Sequence, residues 1–323
     1  MSPRSRVRLL VVAAATAAAG MAAGVALMAA GGDEPPGEPP PLELGVVLAD
    51  GPEAAALQAA ERLYETGDRA GARARFEAVL ARDPSSIAAA VGAAVAAWPD
   101  GTIERLEELA AEHPSSGVVR LHLGLAFYVE GDEEDARGEW REAERRDPDS
   151  EAAIRAEDLL HPEMPPGRPF FVPSQGSPAA GLEGLSPSEQ LAELEARAQA
   201  GGVPDWLLYG AVLQRLGRPV SARAAFDRAV ELDPSDLAAQ TAAAVVRFDK
   251  DDPSAAFSRL GPLASANPRS AVARFHLGLM LLWLQQVEEA RRQLTTAQES
   301  GAASIWGREA GRLLARLDEA TTS

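Results

Sequence analysis

Residues Arg120–Tyr128 read RLHLGLAFY, and residues Arg274–Leu282, 154 positions later, read RFHLGLMLL. A chain that writes nearly the same nine residues twice is built from a unit that packs on copies of itself, which removes most single-core folds from consideration. The frame around the first phrase is 34 residues long, from Gly117 to Ser150, with Leu123, Gly124, Phe127, Gly131, Ala136, Trp140, Ala143 and Pro148 at fixed offsets. The small residues Gly124 and Ala136 fall where two helices of a hairpin cross, and only small side chains let the axes close to about 8–10 Å. Phe127 and Trp140 fill the space around that crossing. Pro148 ends the second helix because it has no N–H to give to the preceding turn.

A Leu-Gly pair, an aromatic three residues after the glycine, Ala-x3-Phe (here Ala136-x3-Trp140) and a closing proline resemble the tetratricopeptide repeat. The resemblance implies an all-α, helical-hairpin solenoid. The same frame places five further units. Glu53–Ser86 carries Ala60, Leu63, Gly67, Ala72, Phe76 and Pro84, and Ile87–Ser116 is a degenerate 30-residue version with Leu106, Leu109 and Pro114. Val203–Asp236 carries Trp206, Gly210, Leu213, Gly217, Ala222, Phe226 and Pro234. Leu237–Ser270 has Arg247 where an apolar residue is expected. The unit from Ala271 has Gln285 in place of the turn glycine and Ala302 in place of the proline. Units one to three correspond to four to six, and each triplet ends in an Ala-, Leu- and Arg-rich helix, so the chain reads as a duplicated three-repeat module. Three stacked hairpins plus a cap are about the minimum that buries a continuous core. The expected modules are residues 53–161 and 186–320, the second opened by a capping box at Ser186 and Glu189.

Ahead of the repeats, Arg4, Arg6 and Arg8 precede an uncharged run from Leu9 to Ala30. As a helix this run is about 33 Å long, enough to cross a bilayer core of about 30 Å. The arginine asymmetry leaves residues 1–8 in the cytoplasm and sends the repeats to the extracytoplasmic side. The competing reading is a cleaved signal peptide, with Ala22 and Gly24 as small residues at the cleavage site. Gly20 and Gly24 also form a GxxxG pattern that would permit weak self-association of the helix. Residues 31–52, with PPGEPPP, read as a spacer.

A Pro- and Gly-rich linker, 162–185, separates the modules. Within it stands PFFVP, where Phe170, Phe171 and Val172 have no reason to lie together in solvent. They are expected to dock on one module in cis.

The chain has 31 basic and 48 acidic residues, a net charge of -17, which disfavours a nucleic-acid partner. Its single lysine, Lys250, reads as a consequence of base composition. The absence of cysteine excludes disulfides and thiolate chemistry. Neither a catalytic constellation nor a metal or cofactor motif is legible, and DKDD at Asp249–Asp252 lacks the glycine and distal glutamate of a calcium loop. Asp158 and His161, three apart, read as an ordinary helix end. Function is therefore sought on the concave face, where the resemblance implies peptide binding. By repeat position that face carries Val118, Leu121, His122, Leu125 and Tyr128 in the third unit, and Val272, Phe275, His276, Leu279, Leu282 and Trp283 in the sixth. The lysine and asparagine carboxylate clamp of chaperone-binding relatives is absent from these positions. The expected function is that of a non-enzymatic, membrane-anchored scaffold binding an envelope protein. The alternatives are a cytochrome c maturation subunit presenting an apocytochrome segment, and a secreted binding protein.

Overall fold

The computed structural model describes residues 38–45, 51–174, 182 and 185–322, and among these its regular structure is all helical, with fifteen helices and no strand. The expected spanning segment 9–30, the tail 1–8 and the Gly20/Gly24 pair lie outside the described residues. No described helix is long and apolar enough to cross a membrane.

The chain forms two compact units. The first contains α1 (Gly51–Glu65), α2 (Arg69–Leu80), α3 (Ile87–Ala96), α4 (Thr102–Glu112), α5 (Gly117–Glu130), α6 (Glu133–Arg146) and α7 (Glu151–Leu160). The second contains most of α8 (Pro187–Ala200), then α9 (Val203–Arg215), α10 (Pro219–Leu232), α11 (Leu237–Val245), α12 (Ser254–Ala266), α13 (Ala271–Trp283), α14 (Val287–Ser300) and α15 (Ile305–Thr322). Helices α1–α7 correspond one for one to α9–α15, as expected of a duplicated module.

Local chemistry explains the boundaries. Asp68, Asp236 and Ser270 cap α2, α11 and α13 by accepting from the N–H of Gly71, Ala239 and Ala273. Helix α6 has Glu133, Glu134 and Asp135 in its first turn and Arg145 and Arg146 in its last, the arrangement that the helix dipole favours. At Ser186 both arms of the capping box form: its N–H donates to Glu189 Oε2 at 2.8 Å, and the Glu189 N–H donates to Ser186 Oγ at 3.4 Å.

Hairpin packing turns on the small residues. A Cβ at Gly124 would lie 2.5 Å from Trp140 Nε1 and 2.9 Å from the Ala136 carbonyl, and one at Gly210 would lie 2.5 Å from Phe226. Glycine is thus what lets the first helix close on the second in these two hairpins. The doubled phrase has a second structural duty, because Arg120 donates to Glu139 at 2.7 Å and its counterpart Arg274 to Gln293 at 2.7 Å, tying the two helices of each third hairpin. Arg247, out of pattern in sequence, reaches Asp227 at 2.7 Å and so satisfies its charge at the surface of α10.

One expectation is corrected. The stretch 31–52 is not simply a spacer: α1 begins at Gly51, and residues 38–45 lie against the first unit with Pro40 and Leu44 buried. Leu44 packs with Leu57, Tyr64 and Val119, so its apolar side chain has found core.

Candidate functional site: two grooves lined with main-chain partners

In the second unit, residues 163–173 run across the module as an irregular strip, turning at Glu163 and at the left-handed Gly167 (φ 74°), and side chains of the module bond to its main chain. Gln285 donates to the Glu163 carbonyl at 3.1 Å, Lys250 Nζ to that of Pro165 at 2.9 Å, and Trp283 Nε1 to that of Gly167 at 3.3 Å. The Phe171 N–H donates to Gln214 Oε1 at 2.9 Å and the Val172 N–H to His276 Nε2 at 2.9 Å. Trp306 Nε1 completes the series on the Val172 carbonyl at 2.7 Å. These six bonds all end on backbone atoms of the strip. A strip with no secondary structure of its own must satisfy its buried polar groups in this way or remain in water.

Side-chain burial within the strip is uneven. Phe171 is fully buried, stacked on His276 (4.9 Å between ring centres, 16° between planes) and edge-on to Phe226 (5.6 Å, 71°). Val172 packs on the core of α13 to α15, while Phe170 is half-buried. Pro169 and Pro173 are buried at either end.

The first unit repeats the arrangement with a different strip. There the Glu43 N–H donates to His122 Nε2 at 3.0 Å, the Tyr64 hydroxyl to the Pro40 carbonyl at 2.6 Å, and the Leu44 N–H to Glu61 at 3.1 Å. Arg155 pairs with the Glu43 carboxylate at 2.9 Å. A cavity of about 130 Å3 remains beside this strip, lined in part by Leu121, Glu151, Ala152 and Arg155. By the 154-residue offset the counterpart of Ala152 is Trp306, the residue that in the second unit donates to the strip.

The two histidines are set up identically. Nδ1 of His122 lies 2.7 Å from the Val118 carbonyl and Nδ1 of His276 lies 2.8 Å from that of Val272. A carbonyl only accepts, so the proton sits on Nδ1 and leaves Nε2 free to accept from the strip. Burial pushes both imidazoles down to about 4, opposed only by the carbonyl bond, so both are neutral at physiological pH. In the first unit burial also raises the Glu61 and Glu151 carboxyls and the Tyr64 phenol.

Several residues expected on the open groove lie elsewhere. Leu121 and Leu125 are buried with Trp140, Ala156, Leu159 and Leu160, under the capping helix α7. Phe275, Leu279, Leu282 and Trp283 join Leu294, Leu313 and Leu317 in the core, and Trp283 still extends its indole N–H to the strip. The physical reason is that the cap buries most of the helix face beyond the histidine. Val272 is buried and Val118 half-buried, each serving through its carbonyl. Tyr128 alone remains open, 42% exposed, with its ring 5.8 Å from that of Trp140.

Sequence reasoning passed over Lys250, Gln214, Gln285 and Trp306. Lys250 is 2% exposed and holds the strip, so it does more than record base composition. Gln285 is the one described non-glycine residue with positive φ (58°), and there its amide reaches Glu163. That reach accounts for the loss of the turn glycine, which was the available signal. His161 is paired with Glu163 and Asp251 at 3.3 and 2.9 Å.

Tetratricopeptide-repeat models match residues 57–105, 99–151 and 203–246. No curated protein matches the chain in sequence. Among solved structures it is similar to a tetratricopeptide repeat protein from Parabacteroides merdae, at 12% identity over 82% of this chain and 98% of that one, with a TM-score of 0.33. It is also similar to yeast Tom70, at 14% identity over 84% of this chain and 54% of that one, with a TM-score of 0.32. A third is Pseudomonas aeruginosa pilF, at 15% identity over 80% and 95%, with a TM-score of 0.27. The matched repeats, the glycine-on-aromatic hairpin crossings and the duplicated helix order agree: residues 57–151 and 203–246 are tetratricopeptide repeats.

Proposed function

We propose that the chain is a non-enzymatic scaffold, tethered to the membrane by residues 9–30, that holds a protein partner on the extracytoplasmic side. The observation that carries the scaffold reading is the row of six side-chain groups in the second unit that satisfy the main chain of a segment with neither helix nor strand. Such a row holds polypeptide and performs no bond-breaking chemistry. The tether and its orientation are supported by the three arginines before an uncharged run of spanning length.

Because the chain has no cysteine, single-cysteine labelling gives a clean topology test. Ser300→Cys, at an exposed position, should react with a membrane-impermeant maleimide in intact spheroplasts and stay with the membrane through a carbonate wash. Labelling only after lysis would invert the orientation. A soluble, labelled species lacking residues 1–30 would replace the tether with a cleaved signal.

A further inference from the structure

The two strips differ in sequence and share a geometry. Five-residue windows Pro40–Leu44 and Pro169–Pro173 both present the N–H of their fourth residue, Glu43 or Val172, to Nε2 of the equivalent histidine. In both windows the first and fifth residues are buried and the second and fourth are half-buried. In the second unit six bonds to the strip end on main-chain atoms. Side-chain selection falls first on the fully enclosed position, the pocket of His276 and Phe226 around Phe171, and then on the buried prolines at either end and the packed Val172. A site that reads backbone, one enclosed aromatic and its apolar flanks accepts any chain that offers the same pattern.

We propose that the second groove is a recognition site for a partner segment of the pattern proline, any residue, aromatic, apolar residue, proline, read in register by His276, and that Pro169–Pro173 is the resident competitor for it. The proposal rests on the scaffold reading and adds what the scaffold takes. A segment tethered in cis competes at an effective concentration in the millimolar range for a short linker, so a partner segment gains the site only when its own contacts outweigh that advantage. The first groove has the same histidine, but Arg155 faces the fourth position, and its resident segment is Pro-Pro-Leu-Glu-Leu, with glutamate there. The two modules therefore read the same backbone feature with different side-chain preferences, aromatic in the second and acidic in the first.

The test uses the full chain in detergent and a fluorescein-labelled peptide of the sequence EMPPGRPFFVP, that of residues 163–173. Two variants disable the competitor: Phe171→Ser, and a chain in which 163–173 are replaced by glycine and serine at equal length. Unchanged helical circular dichroism shows that each has folded. Either variant should bind the peptide at least tenfold more tightly than the parent chain. A second peptide, with an ester in place of the amide at the valine, lacks the N–H that His276 accepts. It should bind the Phe171→Ser chain about tenfold more weakly than the amide peptide. It should equal the amide peptide on Phe171→Ser/His276→Ala, which has no acceptor. Absence of saturable binding to both disabled variants, or equal binding by parent and variants, overturns the competitor. Equal affinity of ester and amide on the Phe171→Ser chain overturns the histidine register. Membrane topology is read separately by the labelling experiment, so a failed peptide assay leaves the tether standing.

Discussion

Replacing Phe171 by alanine removes a ring that is fully buried against Phe226 and His276. Truncating a core phenylalanine costs about 3–5 kcal/mol, a range that already contains its ring-to-ring contacts. For a unit of this size each kcal/mol lowers the melting temperature by about 2–4 °C, so the second unit should lose about 6–20 °C. That loss has a ceiling. Once it exceeds the free energy that docks the strip, the strip leaves and the cost grows no further, while Gln214, His276 and Trp306 lose their partners together. A double-mutant cycle separates the regimes. Trp306→Phe alone removes the donor to the Val172 carbonyl and should be destabilising; added to a chain whose strip has already left, it should cost almost nothing more. Hydrogen exchange of residues 163–173 and calorimetry of the full chain read the two effects. Phe170→Ala is the control: its ring is half-buried, so its cost should stay below about 1 kcal/mol. If Phe171→Ala melts within about 2 °C of the parent with exchange of 163–173 unchanged, the strip contributes nothing to the unit and the reasoning fails.

Acidification should destabilise both units. His122 and His276 titrate at about 4 when folded and near 6.5 when unfolded, so the unfolded chain binds more protons between those values. Stability is then full above about pH 6.5 and falls by about 3 kcal/mol per histidine by pH 4. In the first unit the raised carboxyls of Glu61 and Glu151 oppose the loss by taking up protons in the folded state, so His276→Gln should flatten the pH profile of melting more than His122→Gln does. Gly124→Ala should destabilise by at least about 1–3 kcal/mol, because the new methyl meets the Ala136 carbonyl as well as Trp140. Gly138→Ala, in open space on α6, should instead gain about 0.5–1 kcal/mol in the same denaturation assay. Ala152→Trp should fill the cavity beside residues 38–45 and slow their exchange, and faster exchange there would mean that the first groove does not tolerate the geometry of the second.

The helices, their hairpin pairing, the six repeats and the duplication were all legible in the sequence. Each rests on chemistry between residues that are near in the chain or one repeat away: capping groups at Asp68 and Ser270, glycine opposite an aromatic sixteen positions on, and proline after the second helix of every unit but the last. Periodicity of that kind is written directly in side-chain type. Two anomalies of the groove were visible as well, the repeated histidine and the aromatic pair between prolines. The tertiary structure alone decided what those features do. It brought Glu43 to His122 across 79 positions and Val172 to His276 across 104, buried the only lysine against a proline carbonyl, and sent Leu121, Leu125 and Leu279 into the core beneath a capping helix. Most groups held in the two grooves are peptide N–H and C=O, which every residue type except proline provides alike, so no letter of the sequence marks which of them will be bound.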